Sequence, residues 1–342
     1  MTAADAGDDH PRLTIAIKAL NEERHIEAAL ESALAAAAPF GGEVVLADSG
    51  SSDGTVAIAR RLPVRIVQLG NPEERRCGAG AQLAFQAARG DYFALIDGDM
   101  TVHPSFIRQA IAYLDENPKV AGVGGVVTEK VIANAEFAIR AAALAIDADR
   151  KPGTTDRLDG GGVYRSAAIR DVGYFADRNL HAFEEFDLAA RLAVKGWQLA
   201  RIPAPSVDHY GHSASGYRML WRRLRSGYAG GVGEVVRAAA GRPHLAFVVR
   251  RLGHVRNSAA VILWWLALVA CLVLGWPLVA LVLALAPLAL LWVRRGSLAL
   301  GAYSLAQWNV QALGLIGGLF AVRRDPTMPL AAVELTPQVR PE

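Results

Sequence analysis

Between Ser258 and Val293 the chain runs for 36 residues without a charged side chain. A helix crosses a hydrocarbon core of ~30 Å in about 20 residues, so this run is too long for one crossing. Gly275-Trp276-Pro277 stands at its middle and supplies a turn. The run therefore reads as a hairpin of two short spanning helices. Arg256 precedes the first and Arg294-Arg295 follow the second. A hairpin brings both arginine sites to one side, which the positive-inside rule makes cytoplasmic. A buried hairpin in a soluble protein fits poorly with so long a chargeless run. Hydrophobic residues make up 52% of the whole chain, and their excess begins near residue 257.

Ser297–Val322 is a third apolar segment, less pure than the hairpin. Ser304, Gln307, Gln311, Gly314 and Gly318 recur at spacings of three and four, so they share one helical face. Small and polar stripes of this kind pack against neighbouring membrane helices. The segment ends at Arg323-Arg324. If it spans, these arginines lie on the far side, against the charge rule; otherwise it is re-entrant or interfacial.

Ahead of the hairpin, residues 213–256 carry nine arginines, among them Arg218, Arg222, Arg223 and Arg225, interleaved with Tyr217, Trp221 and Tyr228. Arginines at headgroups and aromatics at the interface suit a membrane surface. The net charge of the chain is only +3, and no nucleic-acid partner is expected. The N-terminus, Met1 to Arg12, is polar and acidic and lacks the apolar stretch of a signal peptide, so the segment after it is expected to stay in the cytoplasm. Cys77 and Cys271 have neither metal-site nor disulfide-scaffold spacing and read as free thiols.

Residues 12–212 alternate strands and helices. Strands are expected at Leu13–Ala19, Glu43–Ala47, Val64–Gln68, Tyr92–Ile96, Ala121–Thr128 and Gln198–Ile202. Helices are expected at Glu22–Ala38, Thr55–Arg61, Gly80–Ala88, Pro104–Glu116 and Phe183–Val194, with an alanine-rich one after Thr128. That alternation indicates a mostly parallel, doubly wound α/β sheet. Such sheets bind ligands at the carboxyl ends of their strands. Asn21-Glu22, Asp48 and Asp97-Gly98-Asp99 all fall at those ends.

Asp97-Gly98-Asp99 is the central signal. Two carboxylates at a strand end offer hard oxygen ligands, suited to Mg²⁺ or Mn²⁺ shared with a diphosphate. Acidic pairs are common in loops, so the motif alone is weak. Asp48–Thr55 (DSGSSDGT) follows an earlier strand. Asp53 or Thr55 there suits a cap of the next helix, while Asp48 faces the ligand crevice. Glu184-Glu185-Phe186-Asp187 opens a helix, where acidic residues suit the dipole and Asp187 can pair with Arg191 at i,i+4.

Thr14–Glu23, Ala47–Thr55, Gly78–Gly90, Tyr92–Met100, Gly160–Phe175 and Phe183–Leu192, taken in order, resemble family 2 glycosyltransferases of the GT-A fold, a Rossmann-like nucleotide-diphospho-sugar transferase architecture. The arginine stretch and terminal helices resemble those of exopolysaccharide enzymes of the succinoglycan type. The resemblance implies a nucleoside-diphosphate sugar donor, UDP-sugars favoured, bound by Ala19, Asn21, Glu22, Asp48 and Asp97. It implies Mg²⁺ or Mn²⁺ held by Asp99, Asp97 and His209, with His212 as the alternative histidine. Asp48 would bond the nucleobase. Gly160, Gly161 and Gly162 would let backbone approach the diphosphate or acceptor. The family's base lies in a Glu-Asp-x-Asp motif; here Glu185 stands at its aspartate, leaving Glu184 and Glu185 both open as the base.

The expected organisation is a disordered 1–11, a transferase domain at 12–212, a basic interface segment at 213–256, membrane helices at 257–322 and a tail at 323–342. The expected function is inverting transfer of one sugar to a lipid-linked saccharide in cell-surface or exopolysaccharide assembly, since no Gln-x-x-Arg-Trp motif of processive synthases is present. The alternative acceptor is polyprenyl phosphate itself. A sugar nucleotidyltransferase is disfavoured because Leu20–Glu23 is not a glycine-rich, arginine-bearing loop, and a non-catalytic scaffold because the acidic residues are intact. The expected location is a bacterial inner membrane, multi-pass, with the catalytic domain cytoplasmic.

Overall fold

A computed structural model of the chain describes residues 10–130, 151–158, 160–211 and 216–335. The alanine-rich helix expected after Thr128, Asp159 and His212 lie outside the described residues.

Four parallel strands form the heart of the sheet: β1 (Leu13–Ala19), β2 (Glu43–Asp48), β3 (Arg65–Leu69) and β4 (Tyr92–Asp97). Beyond β4 the sheet is mixed, unlike the expected pattern. It continues through β8 (Val163–Arg165), β6 (Val120–Glu129), β9 (Gln198–His209) and β5 (Met100–Val102), with β7 (Gly153–Thr155) also on β9. β8 is antiparallel to both β4 and β6.

One face of the sheet is covered by α1 (Ile26–Ala37) and α4 (Pro104–Glu116), which bury Ile26, Leu30, Phe106, Ile107 and Ile111 against Ile15 and Ile17. The other face carries α3 (Cys77–Ala87), α5 (Ser166–Asp171) and α6 (Glu184–Val194), packed on Ala16, Val45 and Phe93. α2 (Thr55–Ala59) is a short connector. The first long helix starts at Ile26 rather than Glu22 because residues 20–23 are tied into the 51–55 loop. Asn21 sits there at φ 60°, a left-handed conformation tolerated by asparagine.

After β9 come three short helices, α7 (Gly216–Arg225), α8 (Gly231–Ala239) and α9 (Leu245–Arg251). Two long ones follow, α10 (Gly253–Val273) and α11 (Pro277–Arg295), both long and apolar enough to cross a membrane. Gly275 at φ 72° closes α10, with its N–H on Leu272 O and the Trp276 N–H on Cys271 O. Leu263, Leu266, Leu272, Leu278 and Val282 stand largely exposed along the pair, an apolar surface far larger than water-facing helices carry. Pro287 inside α11 has no N–H to give the carbonyl four residues earlier. The Trp264 indole donates to that carbonyl, Leu283 O, at 2.8 Å. Trp264→Phe is expected to lower the thermal midpoint in detergent by a small step, about 1–2 kcal/mol. Adding Pro287→Ala should recover it, since the backbone then satisfies Leu283; no recovery would assign the indole a packing role instead.

The third apolar segment forms one helix, α12 (Leu298–Phe320). Its first turn packs on Trp292, at the arginine end of α11, through Gly301. Asn309 accepts from the Trp265 indole at 2.8 Å, and Gln311 lies 3.3 Å from His254 near the start of α10. Gly314 and Gly318 then press against the backbone of Ala229 and Gly230, so closely that a methyl group at either would clash. The two ends of α12 thus pack on the ends of the hairpin that carry arginines and on the helices before it.

The described part of the segment read as a tail, residues 323–335, packs on the α/β domain. Arg323 pairs with Asp177 at 2.7 Å, and Arg324 and Arg178 both pair with Glu74. Leu330 exchanges hydrogen bonds with the Gln86 side chain, and β10 (Ala332–Glu334) adds antiparallel to β3. The membrane helices are therefore anchored to the α/β domain at both ends. Between them Phe186, Ala190, Val232, Val235, Val248 and Leu315 form a shared apolar cluster.

Candidate active site

Lys18 and Asp97 are register partners on adjacent parallel strands, so their side chains leave the sheet on the same face. Lys18 Nζ lies 3.2 Å from Asp97 Oδ1 and 2.7 Å from Glu184 Oε1. Burial opposes the lysine charge, but Asp97 and Glu184 outweigh it and hold Lys18 well above the ordinary lysine range. Burial would push Glu184 up; Lys18 more than offsets that and holds it below the usual carboxylate range. Lys18 was not among the sequence candidates. The available signal was a cation inside an otherwise apolar strand, which needs a counter-charge when buried.

Asp99 is 6% exposed. β5 pairs antiparallel with β9, Met100 opposite His209, so the imidazole comes to Asp99. His209 Nε2 is 3.3 Å from Asp99 Oδ2, and Nδ1 is 2.7 Å from Glu129 Oε2. Burial disfavours the imidazolium, yet Asp99 and Glu129 prevail and raise His209 to about 10. Gly98 is required for space: a Cβ there would meet Glu22 Cγ at 2.7 Å and Ala19 Cβ at 3.2 Å. Glu22, pressed onto Gly98, is pushed up to about 7 by burial and by Asp99 and Asp97.

These groups fit a hard divalent cation. Among the described residues no three side chains of the ligating types form a closed cage. Mg²⁺ and Mn²⁺ at phosphate sites need none, because one or two carboxylates suffice beside substrate oxygens and water. Asp99 and His209, whose imidazole must give up its proton to ligate, are already adjacent, and Glu22 is pushed up by burial and by the neighbouring Asp99 and Asp97. A cation relieves that directly.

The site opens into a cavity of about 490 Å³. Lys18, Ala19, Glu22, Asp97, Asp99 and His209 line one side of it, with Ser49, Arg75, Arg76 and Cys77 adjoining. Both cysteines are free, as expected, and burial pushes the Cys77 thiol up to about 12. The opposite lining comes from α7 and the turn after it: Met219, Arg222, Arg223, Ser226 and Tyr228. Part of the arginine-rich stretch assigned to the membrane surface thus faces the site.

Three expected contacts are placed differently. Asp48 is fully buried and does not line the cavity. Its carboxylate accepts from Gly50 N at 2.9 Å, from Ser51 N and Oγ, and from Gln68 Nε2 at 2.7 Å. It therefore shapes the loop after β2, and Ser49 reaches the cavity instead. Asn21 braces the same loop, its side-chain oxygen accepting from Ser52 N at 2.8 Å. Asp53 accepts from Thr55 N at 3.0 Å, but the N-cap of α2 is Gly54 and no side chain caps it, contrary to the capping reading of Asp53 or Thr55. Gly160, Gly161 and Gly162 also lie outside the cavity lining. The Gly161 N–H bonds Leu95 O, and Cβ atoms at 160, 161 and 162 would meet Met100, Val207 and Tyr164. Close packing behind β4 accounts for them, rather than an opening to ligand.

At the start of α6, Glu184 is 7% exposed and committed to Lys18; Glu185 is half-buried, and its charge also acts on Lys18. The Asp187–Arg191 pair forms at 2.8 Å, as its spacing implied.

Residues 14–173 match glycosyl transferase family 2. EpsE of Bacillus subtilis, described as a glycosyltransferase, is 28% identical over 55% of this chain and 69% of its own. The succinoglycan biosynthesis protein ExoA of Rhizobium meliloti is 32% identical over 49% of this chain and 48% of its own. The match thus spans about half of ExoA. The mannosyltransferase PcManGT of Pyrobaculum calidifontis, solved with GDP-mannose and Mn²⁺, is 22% identical and superposes with a TM-score of 0.61 over 91% of this chain and 87% of its own. It shares the fold. Strand order, acidic strand ends and sequence likeness agree that residues 14–173 are similar to a glycosyl transferase family 2 domain.

Proposed function

We propose that this protein transfers one sugar, with inversion, from a nucleoside-diphosphate sugar to a lipid-linked saccharide during cell-surface or exopolysaccharide assembly. One observation carries this reading: the cavity has the Asp97–Asp99 carboxylates on one wall and, on the other, a basic helix that leads into the apolar hairpin. A soluble donor and a membrane-borne acceptor can meet there. The likeness to ExoA supports an exopolysaccharide setting, and the GDP-mannose of PcManGT adds GDP-sugars to the UDP-sugars considered as donors. The hairpin and the arginines at its base support a cytoplasmic catalytic domain on a bacterial inner membrane.

Glu185 is the base. Glu184 is occupied by Lys18, whereas Glu185 is half-buried and its charge acts on the same lysine. It takes the proton of the acceptor hydroxyl as that oxygen bonds to the anomeric carbon. The bond from that carbon to the diphosphate oxygen breaks on the opposite face, which inverts the centre. Asp99, Asp97 and His209 would hold Mg²⁺ or Mn²⁺, which supplies charge neutralisation at the departing diphosphate. Asp48 acts on the nucleobase end through the loop it organises.

Membranes bearing the protein, offered a panel of UDP- and GDP-sugars with Mn²⁺ or Mg²⁺ and lipid-linked acceptor, test this. One donor should turn over, and Glu185→Gln should lower kcat by about 10²–10⁴-fold with donor KM little changed. Full activity in Glu185→Gln would remove it as the base; no turnover of any donor by folded wild-type protein would remove the transferase reading itself.

A further inference from the structure

α7 has two opposed faces. Tyr217, Trp221 and Leu224 form one helical stripe and are 57%, 61% and 37% exposed. Met219, Arg222 and Arg223 form the stripe on the other side and line the cavity. Leu220, between the two, is buried and fixes the rotation of the helix. Its start is pinned to α12: Gly216 abuts the Tyr303 ring, and Tyr217 packs edge-on to it at 5.3 Å. The aromatic stripe therefore continues the apolar surface of α12 and the hairpin, while the arginines point inward.

Charge gives the inward face its meaning. On the wall formed by Asp97, Asp99 and Glu22 the cations Lys18 and His209 are already paired with carboxylates, so a phosphate there needs an added cation. A second phosphate group in the same cavity needs its own counter-charge. Arg222 makes no hydrogen bond or ion pair among the described residues, and Arg223 stands beside it with its guanidinium over the Tyr228 ring at 5.2 Å. Guanidinium groups bind phosphate oxygens in paired, charge-assisted hydrogen bonds and lose less hydration than lysine would. Of the two other arginines on the cavity, Arg75 donates to Ser49 O at 2.8 Å and Gly50 O at 2.7 Å, and Arg76 to Glu73 O at 3.1 Å.

We propose that Arg222 and Arg223 form the site for the phosphate of the membrane-borne acceptor, and that α7 delivers it by lying in the headgroup layer on its aromatic stripe. This rests on the transferase reading for its purpose but is tested by binding alone. The source of the phosphate distinguishes it from a donor site: a prenyl phosphate rather than the nucleotide diphosphate.

The full-length protein in neutral-lipid vesicles is titrated with farnesyl phosphate, with farnesol, and separately with UDP- and GDP-sugars plus Mn²⁺. Wild type should bind farnesyl phosphate and not farnesol. The Arg222→Gln/Arg223→Gln double variant should weaken farnesyl phosphate binding about ten- to hundred-fold, with the donor Kd shifted less than about twofold. Retained donor affinity shows that the variant is folded. Trp221→Ala should weaken vesicle association while leaving farnesyl phosphate binding in detergent within about twofold. Equal loss of donor and prenyl phosphate would assign the arginines to the donor and overturn the proposal. So would unchanged farnesyl phosphate binding, or full competition by an equal charge of phosphatidylglycerol. Failure of transfer with prenyl phosphate binding intact would instead overturn the transferase reading.

Discussion

Asp99→Asn is expected to reduce sugar transfer by about 10³-fold or more, with the protein still folded and membrane-embedded. Asparagine keeps the shape of the side chain and one acceptor oxygen but removes its charge. The reaction leaves a nucleoside diphosphate anion, and losing the carboxylate that helps hold its counter-cation removes several kcal/mol of stabilisation where charge develops. His209, 3.3 Å away, would lose one of the two carboxylates that keep it charged and stay paired with Glu129. The check is kcat/KM with saturating Mn²⁺, beside Mn²⁺ affinity in the presence of nucleotide. Both should fall. Wild-type kcat at any Mn²⁺ concentration would show that this carboxylate has no part in stabilising the leaving group.

Lys18→Ala should be the most damaging single change in the α/β domain. The Glu184 side chain is 9% exposed and Lys18 is its bonded cation. Removing one partner of a buried pair strands the other charge, at a cost of about 3–5 kcal/mol. We expect the unfolding midpoint to drop by roughly 5–10 °C. Lys18→Met together with Glu184→Gln keeps the volume and removes both charges, so it should recover most of the stability. It should not recover transfer, because Asp97 also loses the cation that lies 3.2 Å from it. A double variant as active as wild type would reduce the lysine to a packing role. A single variant as stable as wild type would mean that Glu184 finds water or another cation.

How far the sequence reached depended on the range of the interactions involved. The seven-residue strand Leu13–Ala19 and the helix Pro104–Glu116 were legible to the residue because apolar periodicity and a proline at the helix start are local signals. The short strands β5, β7, β8 and β10 were not, because three residues carry no periodicity and only a partner strand makes them strands. The identity of His209 as a neighbour of Asp99 was reachable by resemblance, but its cause is the register of β5 on β9. The role expected of Asp48 rested on its position at a strand end, and that of Gly160–Gly162 on resemblance. Position says where a residue stands, not whether the loop beside it consumes its hydrogen bonds.

By itself the sequence determined the alternating α/β order, the acidic strand ends, the arginine belt and a hairpin long enough to span, since each is written in composition and spacing along the chain. Only the tertiary structure decided that Lys18 bridges Asp97 and Glu184 and that Arg222 and Arg223 face inward from a helix with an aromatic outer face. It also decided that the last described residues return from the membrane helices to close the catalytic sheet. Those outcomes depend on which surfaces meet across large separations, and a charge or a glycine acquires its partner only when packing brings the two together.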